Sequence, residues 1–369
     1  MNIVIASVLK PLTDVRHYHK IGLSLANGLE CKVFILARDS NPLPNHSDIF
    51  FNALTSSKIS FIERVLAPFR FYFQLLKIRP KVLIVCTHEL LVPAVLYKLF
   101  FQVRVIYDVQ ENYYLNIQSN ETYPGLIRTV LSNYVRLKET VTSRFMYRFW
   151  LAEECYLTEL QFLSSKADVF ENKSLFSQQV FSKCLKDKQK INFLFSGTIA
   201  IENGVLDALA FVKAYHQVDP LVRLTIVGCC HSISLLAQLQ DYVKDCSFVT
   251  LKIDSTPIDY EFIKEEMFKA DLGLICYKPQ ANFTNKIPTK LFEYLSVGMP
   301  MLISNNSKWR GICDRFNAGV SFNIENFSIA DIRELLLNKR FYENTESTRE
   351  YTSWKFLEKD LIDSIVNLK

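Results

Sequence analysis

The sequence predicts an α/β protein with two doubly wound domains, and three observations support this prediction. Short apolar runs alternate with longer helical patterns along the whole chain. Most of the runs are continuously apolar, which is typical of parallel strands that are buried on both faces. The length of 369 residues suits two domains of ordinary size. Together these features favour two parallel sheets with helices on each face.

Eleven runs are predicted as strands because they are short, apolar and rich in β-branched residues. In the first half of the chain these runs are 2–7, 32–37, 82–86, 103–108 and 168–171. In the second half they are 191–196, 223–228, 248–252, 271–276, 300–304 and 319–322.

A polar, lysine-rich stretch, SKCLKDKQK at 182–190, separates the two halves and precedes a new strand. We therefore expect an N-terminal domain over 1–180 and a C-terminal domain over 181–346, with a cleft at the carboxyl ends of their strands. The segment 347–369 is amphipathic and is predicted as a terminal helix that could pack on either domain.

The composition narrows the possible functions. The net charge of +5 is only weakly basic. It does not by itself indicate a nucleic-acid-binding protein, in which a dense stripe of lysine and arginine is expected. Only 10 glycines are present, so a glycine-rich phosphate loop is not expected. None of the nine cysteines forms a CxxC pair, which favours free thiols in a reducing cytoplasm. We expect neither a signal peptide nor a membrane-spanning helix, because no apolar run is long enough.

The strongest signal lies at 271–304, where a buried strand that ends at Cys276 and a polar loop precede the run PTKLFEYLSVGMPMLIS at 288–304. Pro288 is suited to the first position of a helix that follows a buried strand. The backbone amides of Thr289, Lys290 and Leu291 would then be unpaired, and such helix starts bind phosphate groups. Lys290 adds positive charge, and Glu293 lies one turn further, where a carboxylate can accept both hydroxyls of a ribose. An ordinary helix start with a solvent-facing glutamate is equally consistent with this spacing.

The same run resembles the signature of retaining GT-B glycosyltransferases, particularly family 4. Weaker similarities follow in order over nearly the whole chain: TDVRHYHKIGLSLA, VRVIYDVQENY, FLFSGTIAIENGVLDAL and RLTIVG. The resemblance implies two facing Rossmann-like domains. It also implies that the C-terminal domain holds a nucleoside diphosphate sugar and the N-terminal domain holds the acceptor. In such enzymes the last helix often crosses back to the first domain, so the resemblance implies that 347–369 packs back on the N-terminal domain.

The family pattern also assigns catalytic positions, and two of them differ here. Of two acidic residues separated by seven others, the second matches Glu293, but the first falls on Asn285. Many relatives carry a histidine where this chain has Gln110, followed by Glu111. The amides of Asn285 and Gln110 can bond sugar hydroxyls but cannot carry a proton. Glu111 remains ionisable, although a surface carboxylate at a helix start is an alternative interpretation.

A third difference concerns the donor phosphates. Relatives usually place an arginine and a lysine in the loop after the first strand of the second domain, whereas this chain reads SGTIAIENG. Gly197 and Thr198 remain as donor-side candidates, because a glycine allows the backbone to approach a ligand closely. Neutralisation of the diphosphate would then depend on Lys286 or Lys290 and on the helix dipole.

Four residues at the ends of the first-domain strands are candidates for the acceptor side: Lys10, Asp14, Arg16 and His88. Asp14 is equally suited to be a helix cap, and a single histidine such as His88 is more often structural. No cluster has the spacing of metal ligands, so we expect no metal and no cofactor apart from the donor substrate.

Two stretches of the first half mix basic with bulky apolar residues, namely 62–81 and 126–150. Basic amphipathic helices can lie on anionic membranes, and a core helix with a basic exposed face is the alternative. The resemblance favours membrane contact, because many relatives act on lipid-linked acceptors at the cytoplasmic face. We therefore expect a cytoplasmic protein, with peripheral contact at the inner membrane face.

The leading hypothesis is transfer of a sugar from a nucleoside diphosphate donor to a glycan or lipid-linked acceptor, with retention. By resemblance, it would serve bacterial surface polysaccharide synthesis. Two alternatives stay open. A sugar-nucleotide 2-epimerase has the same architecture but uses ionisable groups around the sugar. A non-catalytic partner subunit would explain the missing basic residues after SGT.

Overall fold

The computed structural model describes residues 1–119, 124–163, 166–176, 181–186, 190–256, 258–278, 284–343 and 346–367. The chain divides into two compact units. Unit 1 comprises Met1–Leu175 and Trp354–Lys369, and unit 2 comprises Phe176–Ser353. Each unit has its own hydrophobic core.

Unit 1 is built on a parallel sheet that has seven strands within the described residues, in the order β3-β2-β1-β4-β5-β6-β7. The strands are β1 (Asn2–Pro11), β2 (Lys32–Arg38), β3 (Ile49–Thr55), β4 (Val82–Val85), β5 (Arg104–Val109), β6 (Arg148–Leu151) and β7 (Ala167–Val169). This order reverses direction between β1 and β4, which is where doubly wound sheets bind ligands.

Helices cover both faces of this sheet, because the side chains of β1, β4 and β5 are buried on both sides. A π-helical turn (Val15–Gly22) runs into α1, and a 3-10 turn (His88–Leu90) runs into α3. The helices of unit 1 are α1 (Leu23–Gly28), α2 (Phe61–Ile78), α3 (Leu91–Phe100), α4 (Tyr113–Gln118), α5 (Gly125–Ser143), α6 (Tyr156–Glu159) and α14 (Lys355–Val366).

Unit 2 contains a second parallel sheet, with six strands among the residues described, in the order β11-β10-β9-β12-β13-β14. These strands are β9 (Asn192–Thr198), β10 (Arg223–Cys229), β11 (Val249–Asp254), β12 (Leu272–Ile275), β13 (Met301–Ser304) and β14 (Gly319–Phe322). A short antiparallel pair joins β8 (Lys183–Cys184) to β15 (Arg340–Phe341).

The helices of unit 2 follow its strands in alternation, as the sequence pattern predicts. They are α7 (Val205–Val218), α8 (Ile233–Tyr242), α9 (Tyr260–Lys269), α10 (Thr289–Ser296), α11 (Ser307–Arg315), α12 (Ile329–Asn338) and α13 (Glu346–Thr352). The α/β class with two parallel sheets is confirmed, and each of the eleven predicted strands overlaps an observed one.

The stretch predicted as one terminal helix, 347–369, is two helices in the structure. The first, α13, packs on α10 in unit 2, whereas α14 packs on α1 in unit 1. A Cβ on Gly28 would lie only 2.3 Å from Ile362 Cδ1, so α14 sits directly against the end of α1. Trp354 donates its indole hydrogen to Ser24 Oγ at 3.0 Å and fixes the start of α14.

The described residues contain no helix of sufficient length and hydropathy to cross a membrane. The nine cysteines, all of which lie within the described residues, form no disulfide bonds, and seven of them are buried.

Candidate functional site

The motif at 288–304 forms α10 and β13, and α10 packs closely on the sheet of unit 2. The Tyr294 hydroxyl lies 3.0 Å from Ser196 Oγ on β9, and both side chains are buried. A Cβ on Gly273 in β12 would lie 2.4 Å from the Tyr294 ring. A larger residue at Gly273 would therefore push α10 away from the sheet and move its first turn.

Lys290, at the start of α10, carries a buried ammonium group. It is only 5% exposed, and its Nζ has no hydrogen-bond partner among the described residues. The ammonium lies 4.2 Å from the centre of the Phe195 ring and 5.4 Å from that of Tyr277. Burial lowers the pKa of Lys290 to about 8. A buried amine without a partner is costly, so this position is suited to an anionic ligand.

The backbone at the start of α10 adds hydrogen-bond donors to this position. Pro288 is the N-cap residue, and no side chain caps the helix there. Within the described chain, the amides of Thr289 and Lys290 have no acceptor. The prediction for Leu291 was wrong, because its amide donates to the Pro288 carbonyl at 2.9 Å and closes a tight first turn. Two open amides and a buried ammonium therefore belong to the same helix start.

Glu293 lies one turn after these amides and is half-buried. Its Oε1 accepts a hydrogen bond from the Tyr260 hydroxyl at 3.1 Å. The Tyr260 ring stacks on Phe176, with ring centres 4.8 Å apart and planes 11° from parallel. This aromatic support fixes the carboxylate near the helix start, and Tyr260 was not predicted as a site residue.

Asn285 and Lys286 precede α10. Asn285 is exposed in a turn, and Lys286 is half-buried. The Lys286 carbonyl accepts from Trp309 Nε1 at 2.7 Å, which ties this loop to α11. Much of the loop between β12 and Asn285, residues 279–283, lies outside the described residues.

Two glycines, Gly197 in β9 and Gly204 just before α7, allow the backbone to lie close to Lys290 and to Cys276. Gly197 is the second-last residue of β9 and has φ 96°, and a Cβ there would lie 3.1 Å from Lys290 Cε. Gly204 has φ 78°, and a Cβ there would lie 1.7 Å from the Cys276 carbonyl oxygen. Both positions favour glycine. Thr198 is exposed at the end of β9, and its carbonyl accepts from Asn203 at 2.7 Å.

A cation that the sequence did not indicate lies beside the loop that lacks basic residues. Lys278 follows β12, and its Nζ lies 3.6 Å from Asp207 Oδ1 in the first turn of α7. The two residues are 71 positions apart, so only the fold brings them together.

At the carboxyl edge of the unit 1 sheet, Arg16 forms a buried ion pair with Asp108. Its Nη2 lies 2.6 Å from Asp108 Oδ1, and its Nε lies 2.9 Å from Oδ2. Nη1 donates to the Phe170 carbonyl and to Asn172 Oδ1. Arg16 was predicted to line a ligand site, but its guanidinium is occupied and buried. Its role in this structure is to join the π-helical turn after β1 to β5 and to the segment after β7.

Gln110 extends this network from the end of β5. Its Nε2 lies 2.7 Å from Asp108 Oδ2 and 2.6 Å from Nε2 of His17. His17 is completely buried, and burial lowers its pKa. Glu111, the next residue, accepts from Asn116 Nδ2 at 2.6 Å and lies 3.9 Å from Lys10 Nζ.

Asp14 and His88 have structural partners. The Asp14 carboxylate accepts from the amides of Arg16 and His17 at 2.9 and 3.1 Å, so it caps the π-helical turn. His88 Nδ1 lies 2.8 Å from Lys138 Nζ. Burial lowers the pKa of His88 to about 4, so this imidazole is neutral at pH 7.

Comparison with known proteins identifies the architecture. No family model matches the chain, and no curated protein matches it. Solved structures match over its full length at low identity. Sucrose-phosphate synthase from Thermosynechococcus elongatus has a TM-score of 0.73 at 12% identity, covering 100% of this chain and 99% of that one. The Anabaena protein HepE in complex with UDP-glucose has a TM-score of 0.65 at 8% identity, covering 100% of both chains. The chain has the GT-B fold.

The GT-B fold is not restricted to one activity. A UDP-GlcNAc 2-epimerase from Methanocaldococcus jannaschii matches with a TM-score of 0.54 at 14% identity, covering 95% of this chain and 98% of that one. The activity of a GT-B protein therefore depends on the residues at the carboxyl ends of its two parallel sheets.

One further group within this GT-B chain has the donor atoms of a metal site. His17, Cys86 and Asp108 place ligand atoms within 4.8 Å of one another. Both oxygens of Asp108 already accept from the Arg16 guanidinium. A metal ion there would lie against a permanent positive charge, so we assign no metal to this cluster.

Proposed function

We propose that this protein is a glycosyltransferase that binds a nucleoside diphosphate sugar in unit 2. The observation that carries the proposal is the buried Lys290 ammonium, which has no partner in the described residues and lies at a helix start with two open amides. A diphosphate supplies the negative charge that such a position lacks. Glu293, supported by Tyr260, is positioned to accept ribose hydroxyls of the same ligand.

The proposed reaction uses this charge to stabilise the departing diphosphate. Negative charge increases on the diphosphate as the bond to the sugar breaks, so a preorganised cation and helix start lower the barrier. Gln110 and Asn285 cannot act as bases, which favours a mechanism in which the leaving phosphate accepts the acceptor proton. Transfer with retention is consistent with this mechanism. In this mechanism no metal is required, because Lys290 and the start of α10 stabilise the negative charge on the departing diphosphate.

The acceptor is proposed to be a glycan or a lipid-linked sugar of a bacterial surface polysaccharide. The support comes from an outer apolar face on unit 1, formed by α2, α3 and α5, which pack side by side. Large apolar side chains are exposed along all three helices. They include Phe61, Ile62, Phe69 and Phe73 on α2, Leu99 and Phe100 on α3, and Leu126, Val130 and Leu137 on α5.

The charges of this outer apolar face favour a membrane over a protein partner. The three helices carry seven basic residues and two acidic ones. Two of the basic side chains, Arg64 and Lys138, are half-buried and bond to Glu89 and His88. Lys77, Arg79 and Arg144 remain exposed at its rim. An apolar face with a basic rim is suited to peripheral contact with an anionic membrane.

The experiment that tests the donor site is thermal unfolding with UDP, GDP, ADP and CMP at millimolar concentration. We expect one nucleotide to raise the unfolding temperature, because a ligand stabilises only the state that it binds. Glu293→Ala should remove the shift, whereas Glu261→Ala on the exposed start of α9 should keep it. No shift from any nucleotide would contradict the donor site and favour the non-catalytic partner.

A second assay separates transfer from epimerisation. A transferase releases the nucleoside diphosphate and moves the sugar to an acceptor or to water. An epimerase would instead change the sugar without an acceptor.

A further inference from the structure

The side-chain amide of Gln110 uses its nitrogen, but not its oxygen, in hydrogen bonds to described residues. Its Nε2 faces Asp108 Oδ2 at 2.7 Å and His17 Nε2 at 2.6 Å. Its Oε1 has no partner in the part of the chain that the structure describes. Gln110 is half-buried at the carboxyl edge of the sheet, so the open atom belongs to the edge where GT-B ligands are expected.

The neighbours of Gln110 determine which way its amide is turned. The Asp108 carboxylate is paired with Arg16 and can only accept hydrogen bonds. The Gln110 atom that faces it must therefore be the amide nitrogen. The second hydrogen of that nitrogen points to His17 Nε2, which must then be unprotonated.

The remaining proton of His17 is thereby assigned to Nδ1. That nitrogen lies 3.7 Å from Asp14 Oδ1, and a nearby negative charge favours a proton there. The chain of contacts runs from Asp14 through His17, Gln110 and Asp108 to Arg16. The hydrogen bonds among His17, Gln110, Asp108 and Arg16 fix the orientation of the Gln110 amide.

We propose that His17 is a positioning residue that, together with Asp108, takes both amide hydrogens of Gln110 and leaves Oε1 to accept a hydrogen bond from a carbohydrate hydroxyl. The inference rests on the proposed function for its ligand class. It explains how a glutamine can replace a protonatable group at this position. The amide offers a fixed acceptor and needs no proton of its own.

The kinetic test uses the full chain and the slow release of UDP from UDP-glucose without an acceptor. His17→Phe keeps a ring but removes the acceptor nitrogen, and we expect kcat to fall about tenfold, as for one lost hydrogen bond. His17→Gln restores an oxygen near the position of Nε2 and should stay within about threefold of wild type. His19→Ala, on the exposed side of the same turn, is the matched control. An unchanged kcat in His17→Phe would overturn the proposal.

Two further measurements separate this proposal from the donor-site proposal. The shift in unfolding temperature caused by UDP alone should be the same in His17→Phe as in wild type. Loss of that shift would show a general structural effect and overturn a positioning role. The nitrogen NMR signals of His17 should show the tautomer protonated on Nδ1, whether or not UDP-glucose is turned over. The tautomer protonated on Nε2 would overturn the proposal directly.

Discussion

Arg16 and Asp108 are 92 positions apart and form an ion pair in which both side chains are almost completely buried, with Nη2 and Oδ1 separated by 2.6 Å. Arg16→Met would leave the Asp108 charge buried without its partner. We expect the free energy of unfolding to fall by about 3–5 kcal/mol, measured by urea denaturation.

Arg148→Met is a matched control, because Arg148 pairs with Asp168 at 2.6 Å in a partly exposed setting. The free energy of unfolding of Arg148→Met should fall by no more than about 1 kcal/mol. The double variant Arg16→Met/Asp108→Leu should be less destabilised than Arg16→Met alone. Equal losses in Arg16→Met and Arg148→Met would contradict the importance of burial.

Gly204→Ala tests the close approach of the loop after β9 to β12. The new Cβ would lie 1.7 Å from the Cys276 carbonyl oxygen, at a backbone φ of 78°. We expect a loss of about 2 kcal/mol or more in the free energy of unfolding. Gly311→Ala in α11 meets nothing within 4 Å and should be neutral or stabilising by up to about 1 kcal/mol. Similar effects of the two variants would exclude the predicted steric cause.

Lys290→Met should have opposite effects on stability and on ligand binding. Removing a buried ammonium that has no partner in the described residues should raise the unfolding temperature without ligand. The same change should remove most of the stabilisation by the preferred nucleotide. Lys213→Met, at an exposed position of α7, should change neither quantity. A Lys290→Met protein that still responds fully to nucleotide would contradict the phosphate role.

The stability difference between Lys290→Met and wild type should depend on pH. The pKa of Lys290 is lowered by burial from its ordinary value of 10.5 to about 8. Between these values the unfolded wild type binds a proton that the folded state does not, so its stability rises with pH. The advantage of Lys290→Met should therefore shrink by at most about 3 kcal/mol between pH 8 and 10.5. Urea denaturation of both proteins measures this difference, and a constant advantage would indicate an unperturbed lysine.

Vesicle flotation tests the outer apolar face. We expect binding to phosphatidylcholine vesicles that contain phosphatidylglycerol, and weaker binding to phosphatidylcholine alone. Phe69→Ser combined with Leu126→Ser should reduce binding several-fold, because both side chains are largely exposed on that face. Ile233→Ser, equally exposed on α8 of unit 2, is the control. A soluble dimer that the double variant dissociates would instead identify a second copy of the chain as the partner.

The sequence predicted the sheets well because parallel strands buried on both faces leave continuous apolar runs. Two strands of the unit 1 sheet, β3 and β6, were not predicted, because neither forms a separate, continuously apolar run. The β3 strand lies at the sheet edge and mixes buried with exposed residues, including Asn52. The β6 strand has only four residues and follows α5 closely, so it was included in a longer helical pattern.

The candidate site was predictable where its residues are adjacent in sequence, and less so elsewhere. Pro288, Lys290 and Glu293 lie within one helical turn and a half, so their spacing already suggested a phosphate site. His17 and Gln110 are 93 positions apart, and no local pattern joins them. Their partner Asp108 did have one indication, since a charged residue inside the apolar strand VRVIYDV requires a buried partner.

The return of α14 to unit 1 has a consequence for the order of folding during synthesis. Unit 2 is made as one continuous stretch, 176–353, and all of its described strands are synthesised before α14. Unit 1 is made first but lacks the helix that packs against Gly28 and Ser24 until 355–366 has emerged. The half of the protein that is synthesised earliest is therefore the last to be completed, because the surface around Gly28 and Ser24 stays uncovered until α14 is made.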